Sequence, residues 1–483
     1  MSAAAPITLR SRQRGRFGAP LLASSDSRAR EWRQRPFSVG RRAAHGGRER
    51  GVALIIAMTS IAILAVTLAD MHESTSAAYV LATTERDRLR AEYMARSGLN
   101  LTRLLVAQEP AIRTTITPFY QMFLGRPPPM LPVWNYADGI LRPFCNYGEM
   151  QETASAGGGL DFSLAEGLGE TGATCEIISV AENSKINVSD PLSFDGDRAR
   201  TSLAMQMFAA MGGYQSPSPF DPLFEQRDSD GQFTSRLDIV SALIDWWDVD
   251  TERSTFDPGA ATVSSSGAED DVYRTFDDPY QPRNAPLDSV EELRLVRGIG
   301  DDFWATFIEP DPDDPRTRRV TIYGSGAVNP NEAEPEVLLA RLCSFLTDQP
   351  LCTDPTEAAK FIQILRTMRM IAPVPFFSRG SDFFNFIQGR GGERDLYPML
   401  QGFLGTDSPL LFRPVTIRAD QTAALDAAFV TAARIITIQA TGHAGRAQVR
   451  IRTVMNFHDR WTPPPPNAGT MPGLGIFYYY RID

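Results

Sequence analysis

The residues with chemistry to offer crowd between positions 245 and 271. Asp245, Asp248, Asp250 and Glu252 are followed, across a Ser/Gly-rich stretch, by Glu269, Asp270 and Asp271. Clustered carboxylates on irregular backbone suit Ca2+, which takes several oxygen ligands and tolerates loop geometry. The spacing and the loop glycine are wrong for an EF-hand. Candidate ligands are Asp248, Asp250, Glu269, Asp270 and Asp271; the competing reading is a solvated acidic loop, because such runs usually face water. A two-metal hydrolase would place His or Lys among these carboxylates. The four histidines (His45, His72, His443 and His458) lie elsewhere, which also argues against a Ser-His-Asp triad. No catalytic residue is assigned, and the chain is expected not to be an enzyme.

The four cysteines, Cys145, Cys175, Cys343 and Cys352, form neither a CxxC nor a metal-ligand cluster. Cys343 and Cys352 enclose a short loop containing Pro350, and Cys145 could pair with Cys175 across a Gly-rich segment. Disulfides are permitted if this part of the chain leaves the cytoplasm; four buried free thiols are the alternative.

The elements that must carry these groups begin with an anchor. Arg48-Glu49-Arg50-Gly51 ends a basic leader, and the 19 residues from Gly51 to Ala69 carry no charge. A bilayer core needs about 20 apolar residues of helix. Neither Pro nor another break follows before Gly98, so residues 52–107 read as one helix that continues beyond the apolar run. Ala82, Leu89, Tyr93, Ser97, Leu101, Leu104 and Leu105 suggest the side laid on a globular body. Residues 1–50 hold 12 Arg against Asp26, Glu31 and Glu49 (12 − 3 = +9), and the remainder holds 36 basic and 55 acidic residues (36 − 55 = −19). Arginines beside an apolar helix favour the cytoplasmic side, so the leader should stay inside while the acidic bulk crosses. A cleaved secretory signal would need small residues after the apolar core, and Thr67-Leu68-Ala69-Asp70-Met71 runs on into helix. The Ser/Arg/Gly-rich leader reads as disordered, and a translation start within its first 40 residues fits that composition.

Further along, Cys175–Val180 reads as a strand, preceded by Pro/Gly loops at 126–129 and 157–159. Ala433–Thr441 and Gln448–Val454 alternate with period two around Gly442-His443-Ala444-Gly445, a hairpin with one wet face. Pro463–Pro466 through Tyr480 reads as an extended or disordered tail. The roughly 200 residues between the strands are dominated by helical patterns. Two starts there look alike, Lys185-Ile186-Asn187-Val188-Ser189-Asp190-Pro191 and Ala327-Val328-Asn329-Pro330-Asn331, each followed by a helical run (202–211 and 335–346). They suggest a duplicated unit. Leu287–Gly300 resembles a helix-hairpin-helix, which can offer backbone N–H groups to DNA phosphate. Asp301, Asp302 and the −19 charge oppose nucleic acid, so that turn reads as a packing scaffold.

Taken in order, these residues resemble the K-type minor pseudopilin of the bacterial type II secretion system. The matches are the Arg50-Gly51 leader end, Lys185-Ile186-Asn187, Ala242–Asp250 with its Asp-Trp-Trp-Asp core, Gly267–Asp271, Asn284-Ala285-Pro286-Leu287, Glu292–Ile299 and Val328–Asn331. The resemblance implies an α+β class: a pilin-like fold, with a long N-terminal helix and small antiparallel sheet, and a large inserted all-α domain of two helix-hairpin-helix or SAM-like units. It divides the chain into a cleaved cytoplasmic leader (1–51), a pilin helix (52–107, transmembrane over about 52–69), a loop and first strands (108–185), two helical units (186–326, with the acidic loop, and 327–405), C-terminal strands (406–457) and a tail (458–483).

The resemblance also implies bound calcium, cleavage between Gly51 and Val52 by the prepilin peptidase, and methylation of the new amine. The chain would sit in the inner membrane as a single-pass protein with its globular part in the periplasm, at the pseudopilus tip. Its partners would be the minor pseudopilins I, J and H and the inner-membrane secretion platform. Counting from Val52, position five is Ile56, where major pilins carry Glu; a topmost subunit has no neighbour above, and an unpaired carboxylate in hydrocarbon costs several kcal/mol. A minor pilin of a type IV pilus would share leader and helix, but not the Asp-Trp and Ala-Glu-Asp segments.

Overall fold

The computed structural model describes residues 49–125, 127–146, 172–189, 196–225, 227, 234–269, 273–274, 279–371, 375–392, 395–406, 408–457 and 473–483. Contacts divide the chain into two units, Met1–Thr75 and Ser76–Asp483. Helix α1 spans Glu49–Leu124, and Gly51 and Val52 lie within it. In the first unit every side chain from Val52 to Thr75 is exposed. This helix is the one among the described residues long and apolar enough to cross a membrane, by length and composition.

The helix passes the expected end at 107 and runs through Pro110 and Pro118. A proline forfeits one backbone N–H, yet no glycine interrupts the run before Gly125 other than Gly98. Glu109, buried beside Pro110, is also held from outside by the Leu131 N–H at 2.9 Å. The buried side of α1 differs from expectation as well. Ala91, Met94, Ala95, Gly98, Leu99, Thr102 and Val106 face the core, while Leu89, Tyr93 and Leu104 stay exposed. Small residues won because the sheet approaches very closely: a Cβ at Gly442 would overlap the Ala91 carbonyl. Gly442 therefore belongs to a strand and not to a turn.

The sheet that rests on α1 has the order β1-β6-β7-β8, with β1 at Ala173–Ala181, β6 at Ile435–Ala444, β7 at Ala447–Asn456 and β8 at Ile476–Ile482, every pair antiparallel. Ala444 pairs with Ala447, so the turn is Gly445-Arg446, with Gly445 at φ 57°. The expected wet face of this hairpin is covered in its middle: Thr437 Oγ1 donates to Glu182 Oε1 (2.6 Å) and Gln439 Nε2 to the Asp313 carbonyl (2.5 Å). The supposed tail ends in β8, because Ile476-Phe477-Tyr478-Tyr479-Tyr480 has strong β preference once the prolines are past.

The stretch read as loop before β1 holds a 3-10 turn at Val133–Tyr136 and helix α2 at Ala137–Cys145. They cover the β1 edge. The Ile177 N–H donates to Asp138 Oδ1 (3.2 Å), Ser179 Oγ donates to the Trp134 carbonyl (2.6 Å), and Cys145 is joined to Cys175 with a Cα–Cα distance of 5.1 Å. The segment 157–159 lies outside the described residues.

Between β1 and β6 stands the insert, with two further cores. The first gathers α3 (Asp197–Ala210), α4 (Arg236–Trp247) and the 287–308 segment. The second gathers α6 (Pro355–Ile371), α7 (Gly380–Ile387), α8 (Leu396–Leu404) and α9 (Ala419–Ala428), and reaches Phe429, so the second unit ends well beyond the expected 405. Helix α5 (Pro335–Cys343) gives side chains to both, and Cys343 is joined to Cys352. The insert is not all-α: it holds the parallel pair of β2 (Ile186–Asn187) with β5 (Val320–Thr321) and the hairpin of β3 (Glu252–Asp257) with β4 (Thr262–Ala268). Leu287–Gly300 is no full helix-hairpin-helix either. Its first limb is a 3-10 turn at Val290–Leu295, and a Cβ at Gly298 (φ 84°) would lie 2.5 Å from Thr234 Cγ2, so that turn faces packed side chains.

The two similar starts do share a local structure. Asn187 Oδ1 accepts from the Ser189 N–H at 2.9 Å, and Asn329 Oδ1 from the Asn331 N–H at 3.0 Å. Each turn follows a short parallel pairing, Ile186 with Val320 and Val328 with Phe429.

Candidate metal centre

Helix α4 positions the acidic site. Ser235 and Asp238 form a capping box, with Ser235 Oγ accepting the Asp238 N–H and Asp238 Oδ2 the Ser235 N–H. The run Ile239–Trp247 is buried on every side, which fixes the helix end in the core. Asp248 closes that end, its N–H donating to the Ile244 carbonyl at 3.0 Å. One turn earlier Asp245 Oδ1 accepts the Ser254 N–H at 2.7 Å and ties β3 to α4. Asp250 Oδ1 accepts the Glu252 N–H at 2.9 Å in the turn that starts β3. Glu269 follows β4 directly, so the base of this hairpin carries acids on both limbs.

Asp248, Asp250 and Glu269 each bring a carboxylate oxygen within 4.8 Å of the others. Asp248 and Glu269 are only 2% exposed. Arg200 of α3 lies against the cluster, its Nη1 at 3.1 Å from Asp248 Oδ2 and 2.8 Å from Asp250 Oδ2. Asn284 closes the other side, Nδ2 donating to Glu269 Oε1 (2.6 Å) and to the Asp250 carbonyl (2.7 Å). Its φ of 50° is a conformation asparagine tolerates better than most residues. Three oxygens are left buried without a hydrogen-bond partner: Asp248 Oδ1, Glu269 Oε2 and Asn284 Oδ1.

The electrostatics agree. Burial pushes Asp248 up to about 7, reinforced by the charges of Asp250 and Asp245 and opposed by Arg200. Burial also pushes Glu269 up to about 7, with the Asn284 hydrogen bond opposing and the neighbouring acids adding to it. Asp245 rises to about 6, again mainly by burial. Stranded acceptors whose charge is disfavoured are the complement of a hard cation. The cluster contains only oxygen donors, which disfavours zinc. The residues present therefore fit calcium, with Asp248, Asp250, Glu269 and Asn284 available to hold it.

Of the five ligand candidates read from the sequence, the fold brings Asp248, Asp250 and Glu269 together, and Asp270 and Asp271 lie outside the described residues. Sequence reasoning missed Arg200, Asp245 as the brace of β3, and Asn284. Nothing local flags the last, because Pro286 restricts Ala285 and not Asn284, and no spacing gives the distance of Asn284 to Glu269.

Fold and site together define a class: an α+β protein with one apolar N-terminal helix, a small antiparallel sheet and a mainly helical insert holding a carboxylate cluster. Residues 220–307, which contain every oxygen of that cluster, match the family model described as Type II secretion system (T2SS), protein K. A relative of that name from Pectobacterium carotovorum subsp. carotovorum is 35% identical over 75 residues, 15% of this chain and 20% of the relative. The match thus spans about a fifth of the relative's length. Among solved structures, that of the GspK-GspI-GspJ complex from the enterotoxigenic Escherichia coli Type 2 Secretion System is similar at 12% identity, covering 77% of this chain and 99% of that one, with a TM-score of 0.35. The family match and the curated relative bear out the resemblance to the K-type protein of type II secretion.

Proposed function

We propose that this chain is a minor pseudopilin seated at the tip of the type II secretion pseudopilus, where it helps start assembly and supports export of folded proteins across the outer membrane. The observation that carries this reading is the buried carboxylate cluster inside the very segment that matches protein K. The apolar helix supplies an inner-membrane anchor, with the globular part in the periplasm. Prepilin peptidase would cut between Gly51 and Val52, and methylation of the new amine would follow. The role is structural and not catalytic.

Calcium in the cluster would neutralise acids that otherwise repel one another and would lock the base of β3 and β4 to Asn284. The partners are the minor pseudopilins I and J, after the GspI and GspJ subunits that accompany GspK in the similar complex, with H and the secretion platform beyond them. A tip position follows from bulk, since the insert would obstruct a subunit stacked above, and Ile56 needs no partner there.

The test is expression of the full chain with and without the peptidase, followed by N-terminal sequencing and by site-specific labelling of the insert. The expected mature terminus is Val52, unchanged by mutation elsewhere and blocked by Gly51→Val. An uncut chain, or insert label spaced regularly along the pseudopilus shaft, would overturn the reading.

A further inference from the structure

The carboxylate cluster already carries one cation, and that cation belongs to the chain. Nη1 of Arg200 donates to Asp248 Oδ2 at 3.1 Å and to Asp250 Oδ2 at 2.8 Å. Asp248 and Glu269 are the inner members of the cluster, and Asp250, with 40% of its side chain exposed, is the outer one. Solvent therefore reaches the cluster beside Asp250, where Arg200 is bonded. Asn284 engages Glu269 through Oε1 and keeps its own Oδ1 buried without a donor.

The oxygens divide into those free and those covered. With Arg200 in place, Asp248 Oδ1, Glu269 Oε2 and Asn284 Oδ1 are the buried acceptors of the cluster without a hydrogen-bond partner, and Asp250 Oδ1 takes the Glu252 N–H. Calcium takes about six to eight oxygens, and the burial of Asp248 and Glu269 leaves little room for water on the inner side. The two carboxylate oxygens that would extend the set, Asp248 Oδ2 and Asp250 Oδ2, are the two that Arg200 covers. A guanidinium and a divalent ion repel strongly when both contact the same partly buried carboxylates.

Arg200 has a second partner within reach. Asp197 lies one turn earlier on α3, with Oδ1 3.5 Å from Nη2, and its side chain is 91% exposed. Residues three apart on a helix are neighbours on its surface, so rotation of the Arg200 side chain alone carries the guanidinium from the cluster to Asp197.

We infer that Arg200 is a tethered counter-ion: it holds Asp248 and Asp250 together and yields them to a divalent cation by moving onto Asp197. The acids are thereby kept from repelling one another before the ion arrives. Calcium must outcompete an internal charge, which raises the concentration at which it binds. A monovalent ion brings no more charge than the guanidinium it would replace, so the device favours divalent ions. This role rests on the calcium reading.

Calcium binding to the full-length chain in detergent is measured by titration calorimetry, beside thermal melts in chelator and in saturating calcium. Arg200→Gln should lower the Kd about tenfold, and should melt below the unaltered chain in chelator but level with it in calcium. Asp197→Asn should raise the Kd about twofold, and should change nothing in the Arg200→Gln background, where no guanidinium remains to be received. If Arg200→Gln folds but binds calcium no more tightly, or melts equally low in calcium, Arg200 builds the site; the role is then wrong and the calcium reading survives. Equal effects of Asp197→Asn in both backgrounds reduce it to a loss of charge and overturn the hand-over. Should Arg200→Gln fold in neither condition, Asp197→Asn decides: a weaker Kd with the chelator melt unaltered supports the role, and an unchanged Kd overturns it. An unaltered chain that binds no calcium removes the calcium reading and the role together.

Discussion

Two groups of buried carboxylates in this chain have opposite finishes. Glu182, at the junction of the sheet and the insert, has both oxygens fully engaged: Lys185 Nζ (2.7 Å) and Thr437 Oγ1 (2.6 Å) on Oε1, and Thr321 Oγ1 on Oε2. Burial alone would raise its pKa, but the Lys185 charge and the three hydrogen bonds outweigh it and hold the group below its ordinary value. In the first insert core, Asp248 and Glu269 are equally buried, yet each keeps an oxygen without a donor and both are pushed up to about 7. Burial is common to both places; Glu182 has a cation and three donors, whereas Asp248 and Glu269 face neighbouring acids and each keeps an oxygen without a donor. A buried acid that the fold has satisfied is structure; several left short of donors at ligand spacing are what a cation would need.

The largest effect should come from breaking the satisfied pair. Lys185→Met leaves Glu182 buried without its cation and should cost about 3–5 kcal/mol of stability, equally in calcium and in chelator. A loss that appeared in chelator alone would tie this network to the ion and erase the distinction.

Calcium should come next. At a free concentration 100 times its Kd, an ion that binds only the folded state adds about 2.7 kcal/mol. Thermal melts of the globular part should rise with calcium, and Asp248→Ala or Glu269→Ala should abolish the rise. Identical melts of the unaltered chain in calcium and in chelator would leave no metal site.

The supporting residues should move that response in opposite directions. Asn284→Ala removes an oxygen and the tie between Asp250 and Glu269, and should shrink the calcium shift by about 1 kcal/mol. Arg200→Gln removes the guanidinium that already occupies one oxygen each of Asp248 and Asp250, and should enlarge it. If both variants lower the response alike, Arg200 builds the site and does not compete for it.

The smallest effect sharpens the comparison from a third position. Glu332 also has a buried oxygen without a partner and is pushed up to about 7, by burial first, with Arg369 opposing. Among the described residues it belongs to no carboxylate group at ligand spacing. A carboxyl raised in the folded state above its unfolded value binds more protons when folded, so stability should fall as pH rises from about 4.5 towards 7. Glu332→Gln should flatten that slope, gain about 1 kcal/mol near pH 8, and leave the calcium shift untouched. A lost calcium shift in this variant would mean that an orphan oxygen alone, without neighbours, marks an ion site.

What was legible in the sequence was what is encoded locally. The uncharged run from Gly51 to Ala69, the alternation in β1, β6 and β7, and the order of acids from Asp248 to Glu269 all depend on near neighbours, and local periodicity reports them. The limits of these elements were not legible. α1 outran Pro110, and the aromatic run after Pro466 paired as β8, because each gained contacts with residues well beyond its local sequence. Only the tertiary structure decided which side of α1 is buried: the close approach of Gly442 to Ala91 selects the small residues and leaves Tyr93 and Leu104 outside. It also decided the site. The acids were visible one by one, but Asn284 and Arg200 join them across folded space, and whether an oxygen finds a donor is a property of packing that no spacing along a chain records.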